Sequence, residues 1–304
     1  MQILMAGASG FLGTRLVDRL SAAGHEVTRL VRRPPGATDE QRWSPSSGHL
    51  DPGTVAAADV VVNLAGAGVG DKRWTEDYKR LLRTSRLDTT GLLATTIAGL
   101  PAADRPRALL NASAIGWYGD TGDREVTEDA PAGDDFLADL CRVWEAATRP
   151  AEDAGVRVLR LRSGYPLHRD GGFLKPQLLP FKLGVGGRLG SGRQWVPWIS
   201  LADWLDAVVF LLDRDDLAGP VNLVGPAPVT NAEFTRELAA ALHRPAPFVV
   251  PGVALKVAFG GLAQEMLNTA RVLPGVLRRA DFDYRHETLP QALRAALDPD
   301  RLAA

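Results

Sequence analysis

The length, composition and charge of the chain exclude several classes of protein. Its 304 residues are 45% hydrophobic and 23% charged, an ordinary globular balance, and they suffice for one large domain and a smaller region. The formal net charge of −1 provides no field of one sign that would attract nucleic acid or a membrane surface. Cys141 is the only cysteine, which excludes an intrachain disulfide, argues against a cysteine-based metal site and fits a reducing compartment.

The first residues carry no pattern of a secretory signal. The apolar run 3–6 leads directly into Gly7, without a basic segment or a cleavage site. No run of about 18 uncharged apolar residues occurs, so no membrane span is predicted. We therefore expect a cytoplasmic protein that acts on a small molecule, holds no metal, binds neither nucleic acid nor a membrane, and exists as a monomer or a homodimer.

Strand and helix patterns alternate through the first half of the chain. Short apolar or alternating runs predict strands, and apolar residues at helical spacing predict helices between them. The predicted strands cover residues 2–6, 26–31, 41–43, 60–64, 108–112 and 156–161, and the predicted helices cover 11–23, 74–97 and 134–154. Strands separated by helices imply right-handed crossovers, and purely apolar strands fit a sheet covered on both faces. The predicted fold class is α/β, a doubly wound parallel sheet of the extended Rossmann type.

The second half of the chain departs from this alternation. Residues 171–194 are rich in Gly and Pro and are predicted as loops, and two helical stretches are predicted around the turn 273–275. Between them, helices are predicted at 201–212 and 232–242, and a strand at 220–224. We predict a Rossmann domain of residues 1–225, with a loop insertion at 166–198, and a smaller C-terminal α/β region of residues 226–304 on the substrate side.

Three glycines join the first predicted strand to the first predicted helix. Gly7 permits a tight turn, Gly10 lets the backbone approach a pyrophosphate, and Gly13 lets helix and strand pack closely. The N-terminus of the helix then offers free N–H groups and a partial positive charge to the phosphates. A structural turn without a ligand is the alternative. The residues expected against a dinucleotide here are Gly7, Ser9, Gly10, Phe11, Leu12 and Gly13.

The end of the second predicted strand distinguishes between two dinucleotides. An NAD-specific site has an acidic residue there for the ribose 2′-hydroxyl. This chain has Arg32 and Arg33 instead, and a guanidinium suits a 2′-phosphate. We therefore predict NADP(H) rather than NAD(H), with a solvated basic turn as the alternative.

Further motifs along the chain resemble one family, the atypical extended short-chain dehydrogenases/reductases, also called epimerase family proteins and SulA-type proteins. The resemblance covers essentially the whole chain, including a C-terminal domain of unknown function around Gln264-Glu265 and Leu273-Pro274. The motifs include Asn63-Leu64-Ala65-Gly66, Asp71-Lys72-Arg73-Trp74-Thr75, Thr84-Ser85-Arg86, Ser113-Ala-Ile-Gly-Trp-Tyr118, Thr127-Glu128-Asp129, Trp144-Glu145, Arg162-Ser-Gly164, Gly192-Arg-Gln-Trp195, Trp198-Ile199, Asp203 and Asn222.

The resemblance implies an NADP(H) site and assigns residues to it. Beyond the glycine loop and the two arginines, it places Leu64, Ala65 and Gly66 at the adenine–ribose pocket and points Arg86 toward the cofactor. Without the resemblance, Arg86 would be interpreted as a surface charge on a helix. Two further positions, Ala112 and Gly164, are expected to line the cofactor where their strands end.

The catalytic centre of short-chain dehydrogenases uses a Ser or Thr, a Tyr and a Lys. Ser113 lies where that Ser belongs, but the next long helix places Leu137 and Cys141 at the Tyr and Lys positions, and no register supplies both residues. Tyr118 is the nearby phenol that would substitute as acid/base, with a packed aromatic as the alternative. A lone helical cysteine is more often a small buried hydrophobe than a catalytic thiol.

Two departures from the family and one loop concern the substrate. Tyr165-Pro166 replaces small apolar residues after Gly164, and Ser200 stands where relatives often carry His. The Gly-rich segment 184–198 carries Arg193, Gln194 and Trp195, which we predict to hold an anionic or sugar-like substrate, with a purely structural loop as the alternative.

Three functional hypotheses follow. The first is an NADP(H)-dependent oxidoreductase or epimerase acting on a small polar substrate, with Ser113 and Tyr118 at the reacting centre. The second is a non-catalytic NADP(H)-binding sensor or regulatory protein, motivated by the missing Tyr and Lys. The third is an ordinary sugar-nucleotide epimerase, which the same gap argues against.

Overall fold

The centre of the protein is a parallel β-sheet. The computed structural model describes residues 1–298, and within them seven parallel strands are hydrogen-bonded in the order β7-β6-β5-β4-β1-β2-β3. These strands are β1 (Gln2–Ala6), β2 (Glu26–Val31), β3 (Glu40–Arg42), β4 (Val60–Asn63), β5 (Ala108–Ala114), β6 (Arg157–Ser163) and β7 (Gly219–Leu223). The order reverses between β1 and β4, and such a switch point is where Rossmann folds bind ligands. The predicted fold class is confirmed.

Helices cover both faces of this sheet. One face packs against Leu16 of α1 (Phe11–Ala22) and Trp204 of α7 (Leu201–Leu212), and the other against Leu93 and Ile97 of α3 (Glu76–Gly99). All four residues of β4 are fully buried, as expected for a central strand between two helical layers. The helices are α1 (Phe11–Ala22), α2 (Pro52–Ala56), α3 (Glu76–Gly99), α4 (Phe136–Ala146), α5 (Arg149–Asp153), α6 (Lys175–Lys182), α7 (Leu201–Leu212), α8 (Asn231–Ala241), α9 (Gly252–Phe259), α10 (Leu262–Leu267), α11 (Gly275–Arg279) and α12 (Leu289–Leu297).

The insertion after β6 and the C-terminal part of the chain share a separate hydrophobic core. Leu167, Phe181 and Trp198 of the insertion pack with Phe234 of α8 and Leu293 of α12. This second core lies beyond the carboxyl end of β6, because the insertion starts directly after that strand. Since parallel strands end on the same side of a sheet, the carboxyl ends of β1, β4 and β5 also face this second core. Short strands in this region and nearby are Glu125–Val126, Tyr165–His168, Gly171–Gly172, Gly187–Leu189, Trp195–Val196, Trp198–Ser200, Val229–Thr230, Phe248–Val250 and Arg271–Val272.

The structure differs from the predicted elements in three places. The helix predicted over 134–154 is two helices, α4 and α5, because Pro150 cannot donate a helical hydrogen bond across the junction. The segment predicted as loops contains α6, which tolerates Pro176 in its first turn and Pro180 further along. Residues 251–298 hold four helices rather than the two predicted. No helix within residues 1–298 has the length and apolar character needed to span a membrane.

Candidate cofactor and substrate site

The glycine loop fits closely against the end of β4. Gly7 has a φ of +81°, and a Cβ there would lie 2.6 Å from the carbonyl carbon of Leu64. A Cβ on Gly13 would lie 2.1 Å from the Gly7 carbonyl oxygen. Both positions therefore exclude any side chain. The first turn of α1 has neither a side-chain cap nor an acidic residue, so its N–H groups remain available to an anion.

The other predicted residues of the loop are two exposed residues, Ser9 and Gly10, and two partly buried ones, Phe11 and Leu12. Ser9 and Gly10 are exposed, and the Gly10 amide donates to the Gly7 carbonyl over 3.1 Å. The ring of Phe11 packs against Gly171 and under the guanidinium of Arg15, which lies 4.7 Å from the ring centroid. Leu12 packs against the core beneath the sheet. Because the side chains of Phe11 and Leu12 pack within the protein, these residues can offer a ligand only their backbone N–H groups at the start of α1.

The two arginines after β2 have different surroundings. Arg33 donates two hydrogen bonds, of 2.8 and 2.6 Å, to the buried carboxylate of Glu40, which also accepts from the Gly36 amide. The Arg33 guanidinium lowers the pKa of Glu40 to about 2. Arg32 is exposed, and within residues 1–298 it has no ion-pair partner. Arg32 is therefore the free cation at the end of β2, whereas Arg33 is already paired.

A buried arginine lies beneath the loop that follows β4. Arg86, 7% exposed, donates to the carbonyl oxygens of Ala67 and Leu82 over 3.0 Å, and its guanidinium stacks on Trp144 at 4.7 Å. Its Nε has no hydrogen-bond partner, and in the described part of the chain no carboxylate pairs with it. Burial lowers the pKa of Arg86. An uncompensated buried cation of this kind suits an anionic ligand.

The predicted adenine–ribose residues lie directly above this arginine. Leu64 and Ala65 are partly buried and Gly66 is exposed, and the Ala65 amide donates to the Asn63 side chain over 3.1 Å. A Cβ on Gly66 would lie 3.4 Å from the Arg86 Cγ. The structure thus brings the loop after β4, the glycine loop and Arg86 together at the carboxyl ends of β1 and β4.

Ser113, at the end of β5, belongs to a buried network of polar side chains. Its hydroxyl donates to Glu145 over 2.7 Å, and Glu145 accepts two further bonds from Arg162, of 2.8 and 3.0 Å. Arg162 also donates to the Tyr118 hydroxyl, over 3.1 Å, and its guanidinium lies 3.9 Å from the centroid of the Trp117 ring. An ion pair buried to this degree is strongly held in place, because every partner is hydrogen-bonded.

Tyr118 is the second predicted catalytic residue, and its hydroxyl is fully engaged. It is 2% exposed and donates to Asn222 over 2.6 Å while accepting from Arg162. Burial raises the pKa of Tyr118 to about 12. These contacts favour a positioning role for Tyr118 over proton transfer at neutral pH.

Helix α4 presents its Leu and Cys positions to the loop after Ser113. A Cβ on Gly116 would lie 3.0 Å from the Leu137 Cβ, and the Cys141 thiol is 3.6 Å from the Ala114 carbonyl oxygen. Burial raises the pKa of the Cys141 thiol to about 12. At neutral pH this helix face therefore offers no acid or base where short-chain dehydrogenases carry theirs.

The last two predicted cofactor residues lie at neighbouring strand ends. Ala112 is partly buried in β5, and its carbonyl accepts from the Asn111 side chain over 2.8 Å. Gly164 directly follows β6, and a Cβ there would lie 2.2 Å from the Pro197 carbonyl oxygen. Gly164 thus allows the segment before Trp198 to approach the sheet.

Two of the three predicted substrate residues, Arg193 and Gln194, line a cavity of about 450 Å³, and Trp195 follows them in the chain. Arg193 is exposed and faces this cavity, whereas Gln194 is 7% exposed and donates to the Leu189 carbonyl over 3.0 Å. The Trp195 indole donates to Asp123 over 3.0 Å, and the guanidinium of Arg271 stacks on its ring. Of the three, only Arg193 has a side chain free to meet a ligand.

Four residues of the buried network had no role predicted from the sequence. They are Glu128, Glu145, Arg162 and Asn222. Glu128 accepts from the backbone amides of Asn222 and Val276, over 3.0 and 3.1 Å, and so ties β7 to the start of α11. A charged residue at an inward position of an apolar strand, as Arg162 is in β6, was the available signal.

Comparison with known proteins places these features in a family. Residues 3–135 match the NAD dependent epimerase/dehydratase family, and residues 250–296 match a domain of unknown function, DUF1731. An epimerase family protein of Mycobacterium bovis is 46% identical over 292 residues, 96% of either chain. The chain belongs to the epimerase family. Mouse SDR39U1, a member of the family, is 38% identical over 299 residues, 97% of this chain and 99% of the mouse protein.

Solved structures of epimerase family proteins share the fold. Human SDR39U1, crystallised with NADPH, has a TM-score of 0.88 at 35% identity, covering 97% of this chain and 99% of the human one. A nucleoside-diphosphate sugar epimerase of Corynebacterium glutamicum has a TM-score of 0.80 at 32% identity, covering 98% of this chain and 58% of that chain. These matches confirm the family predicted from the sequence motifs.

Proposed function

We propose that this epimerase family protein binds NADP(H) and uses it as an oxidoreductase or epimerase on a small polar substrate. The observation that carries the proposal is the combination of a glycine loop that admits no side chain at Gly7 and Gly13 with two cations, Arg32 and Arg86, that pair with no carboxylate within residues 1–298. The phosphate groups of NADP(H), the pyrophosphate at the glycine loop and the 2′-phosphate at Arg32, supply negative charge for such a site. The NADPH reported with human SDR39U1 supports the same choice of cofactor.

Each part of the site has a distinct task in this proposal. The first turn of α1 holds the pyrophosphate through its free N–H groups, and Arg32 meets the 2′-phosphate. Arg86 stabilises negative charge beside the loop after β4. When bound, the cofactor supplies or accepts a hydride at the end of β5, where Ser113 lies. The Glu145–Arg162 pair holds the Ser113 hydroxyl in one orientation.

We also propose that the C-terminal region, from residue 226 onward, covers the substrate together with the insertion 166–198. The shared core of Trp198, Phe234 and Leu293 supports this division, because it joins the two segments above the sheet edge. Arg193 then holds a negatively charged or hydroxylated group of the substrate from the cavity wall.

The cofactor part of the proposal is tested by calorimetric titration of NADPH and NADH. Arg32→Ala removes the free cation, so NADPH affinity falls by at least about tenfold, one charge-assisted contact, while NADH affinity hardly changes. The control is Arg33→Ala combined with Glu40→Gln, which removes the neighbouring pair without creating a new charge. We expect that control to keep NADPH affinity within about threefold of the wild type. A wild-type preference for NADH, or equal losses for both nucleotides in Arg32→Ala, contradicts the proposal.

A second candidate function is that of a non-catalytic NADP(H) sensor. The observation that favours it is that Leu137 and Cys141 supply no acid or base at neutral pH, while Glu145, the carboxylate of α4 that contacts Ser113, is paired with Arg162. Incubation of the protein with 4-deuterated NADPH and a small-molecule extract distinguishes the two functions. An oxidoreductase transfers deuterium from the nucleotide into an extract component, an epimerase converts an extract component into its epimer without net transfer of label, and a sensor does neither.

A further inference from the structure

Exposed apolar side chains are concentrated in one part of the protein. Of the eight large hydrophobic residues that are strongly exposed within residues 1–298, seven lie on α6, on α9 or in the segments next to them. They are 46–73% exposed: Leu179, Leu183, Val185, Phe248, Val249, Val253 and Val257. The eighth, Leu81, lies on α3. Exposed apolar side chains that are grouped in neighbouring elements mark a contact surface.

Backbone contacts hold these elements side by side. Gly187–Leu189 and Phe248–Val250 pair as a parallel two-stranded ribbon, and α9 begins two residues after the second strand. The Arg244 Nε donates to the carbonyl oxygen of Lys182, the last residue of α6, over 3.2 Å. The segment that leads into the ribbon is therefore bonded to the end of α6. We call α6, the ribbon and α9 together the ribbon surface.

The exposed sides of the two helices share one pattern. On α9, Val253, Lys256 and Val257 are exposed at helical spacing. On α6, Lys175 and Leu179 are exposed one turn apart. Helices that lie on a membrane surface combine apolar residues, which enter the interface, with lysines, whose long side chains reach the headgroups.

The ribbon surface is also cationic. From residue 171 to 202, and again from 238 to 264, the sequence contains no Asp or Glu. Five cations of these segments are exposed and form no ion pair within residues 1–298: Lys175, Lys182, Arg188, Arg244 and Lys256. The formal net charge of −1, from which no membrane contact is predicted, therefore conceals an uneven distribution of charge.

A cavity of about 300 Å³ opens beside the ribbon. Arg188, Arg236 and Arg244 line it together with Phe248, and no acidic residue of the described chain does so. Arg236 is paired with Glu237 over 3.2 Å, whereas the other two guanidinium groups donate only to backbone carbonyls. Their remaining N–H groups suit a phosphate, and the volume lies at the lower end of the range of small-molecule pockets.

The charge of this surface distinguishes between possible occupants. A second copy of the chain on a two-fold axis would place the same patch against itself, so that unpaired cations would face each other without acids. Nucleic acid is bound mainly through its phosphates, which would leave the exposed leucines and valines uncovered. A bilayer of anionic phospholipids matches both features, because its phosphates attract the cations and its acyl chains receive the aliphatic side chains.

We propose that the ribbon surface attaches this protein reversibly to anionic phospholipid membranes, with a lipid phosphate in the arginine-lined cavity. The aliphatic side chains of α6, α9 and the ribbon enter the boundary between headgroups and acyl chains. The lysines stay at the level of the phosphates. The glycine loop, Arg32 and Arg86 are not part of this surface, so the proposal does not depend on the cofactor.

Flotation of the full chain with phospholipid vesicles tests the proposal. We expect the protein to float with vesicles of phosphatidylcholine that contain about 30% phosphatidylglycerol, and not with vesicles of phosphatidylcholine alone. Raising the NaCl concentration from about 0.1 M to about 0.5 M should weaken the binding, because salt screens the attraction between the cations and the lipid phosphates.

Two double variants separate the apolar from the cationic contribution. Val253→Ser with Val257→Ser should weaken binding to the anionic vesicles by more than about tenfold, because two apolar side chains no longer leave water. Lys182→Gln with Lys256→Gln should weaken it about thirtyfold, the equivalent of about 1 kcal/mol for each cation.

The matched controls replace exposed residues outside the ribbon surface. Leu81→Ser removes an exposed apolar side chain, and Arg42→Gln with Arg279→Gln removes two exposed cations. Both controls should bind the vesicles as the wild type does. Since every replaced side chain is exposed, the thermal unfolding midpoints of all variants should lie within about 2 °C of the wild type.

Four results overturn the inference. Equal binding to both kinds of vesicle, or to neither, excludes an anionic membrane as the occupant. Calorimetric binding of inorganic phosphate by a protein that does not float assigns the cavity to free phosphate. Flotation that survives both double variants places the membrane contact elsewhere. A wild-type dimer in sedimentation that Val253→Ser with Val257→Ser converts to a monomer assigns the surface to a second copy.

Discussion

The buried pair of Glu145 and Arg162 supports a quantitative prediction about stability. Their side chains are 6% and 3% exposed, and Glu145 accepts three hydrogen bonds, two from Arg162 and one from Ser113. Glu145→Gln preserves the shape but leaves the Arg162 charge buried without a counter-ion. Charged hydrogen bonds contribute roughly 1.5–3 kcal/mol each, and breaking one side of a buried ion pair costs roughly 3–5 kcal/mol. We expect the free energy of unfolding to fall by about 3–5 kcal/mol.

Urea denaturation at 25 °C without added nucleotide measures this loss. The matched control is Asp139→Asn on the same helix, where Asp139 pairs with Arg83 and Arg142 at the surface and its side chain is 36% exposed. Exposed pairs of this kind contribute about 0–1 kcal/mol. The denaturant slope should be unchanged in both variants. If Glu145→Gln and Asp139→Asn lose the same stability within about 0.5 kcal/mol, the network does not hold Ser113 as described.

Four further predictions address the loop, the phenol, the cavity and pH. Gly13→Ala places a Cβ 2.1 Å from the Gly7 carbonyl oxygen, so NADPH affinity measured by calorimetry falls more than about tenfold in whatever protein still folds. Tyr118→Phe leaves its buried partners unsatisfied and costs roughly 1–3 kcal/mol in urea denaturation, with cofactor affinity unchanged. Arg193→Ala keeps folding and cofactor binding but lowers turnover in the deuterium-transfer assay; loss of soluble protein would favour a structural loop. Burial raises the pKa of Glu265 from 4.5 to about 7 on folding. The free energy of unfolding therefore falls as pH increases from about 4.5 to about 7, and it is constant above that range. Because Glu265 is partly exposed, the expected decrease in the free energy of unfolding is about 1–2 kcal/mol. Denaturation curves recorded between about pH 4.5 and 8 should show this decrease in the wild type and not in Glu265→Gln.

Local patterns in the sequence were sufficient for the sheet and for the glycine turn between β1 and α1. Apolar strands with turns at their ends, as in β1 and β4, are recognisable because burial on both faces requires a continuous apolar run. Glycine at positions 7 and 13 was also predictable, because a side chain at either position would clash with neighbouring backbone atoms. Helix ends were less predictable, as the split between α4 and α5 shows, because Pro150 acts only through the hydrogen bond it fails to donate.

The ligand-facing chemistry depended on long-range contacts. The sequence presents Arg32 and Arg33 as equivalent, and only the fold brings Glu40 from the next strand to pair with one of them. Likewise, Tyr118 has the chemistry of an acid/base, but its contact with Arg162, 44 residues away in the chain, engages the hydroxyl.

By itself, the amino-acid sequence determined the fold class, the family and the glycine turn between β1 and α1, since each follows from residue types at short spacing. The tertiary structure decided which charges are free and which are paired. Within residues 1–298 it left Arg32 without an ion-pair partner and the Nε of Arg86 without a hydrogen bond, and it brought Glu265 to Asp135 through Asn268. The physical reason is that the charge state of a side chain depends on burial and on partners far away in the chain, neither of which is encoded in the residues next to it.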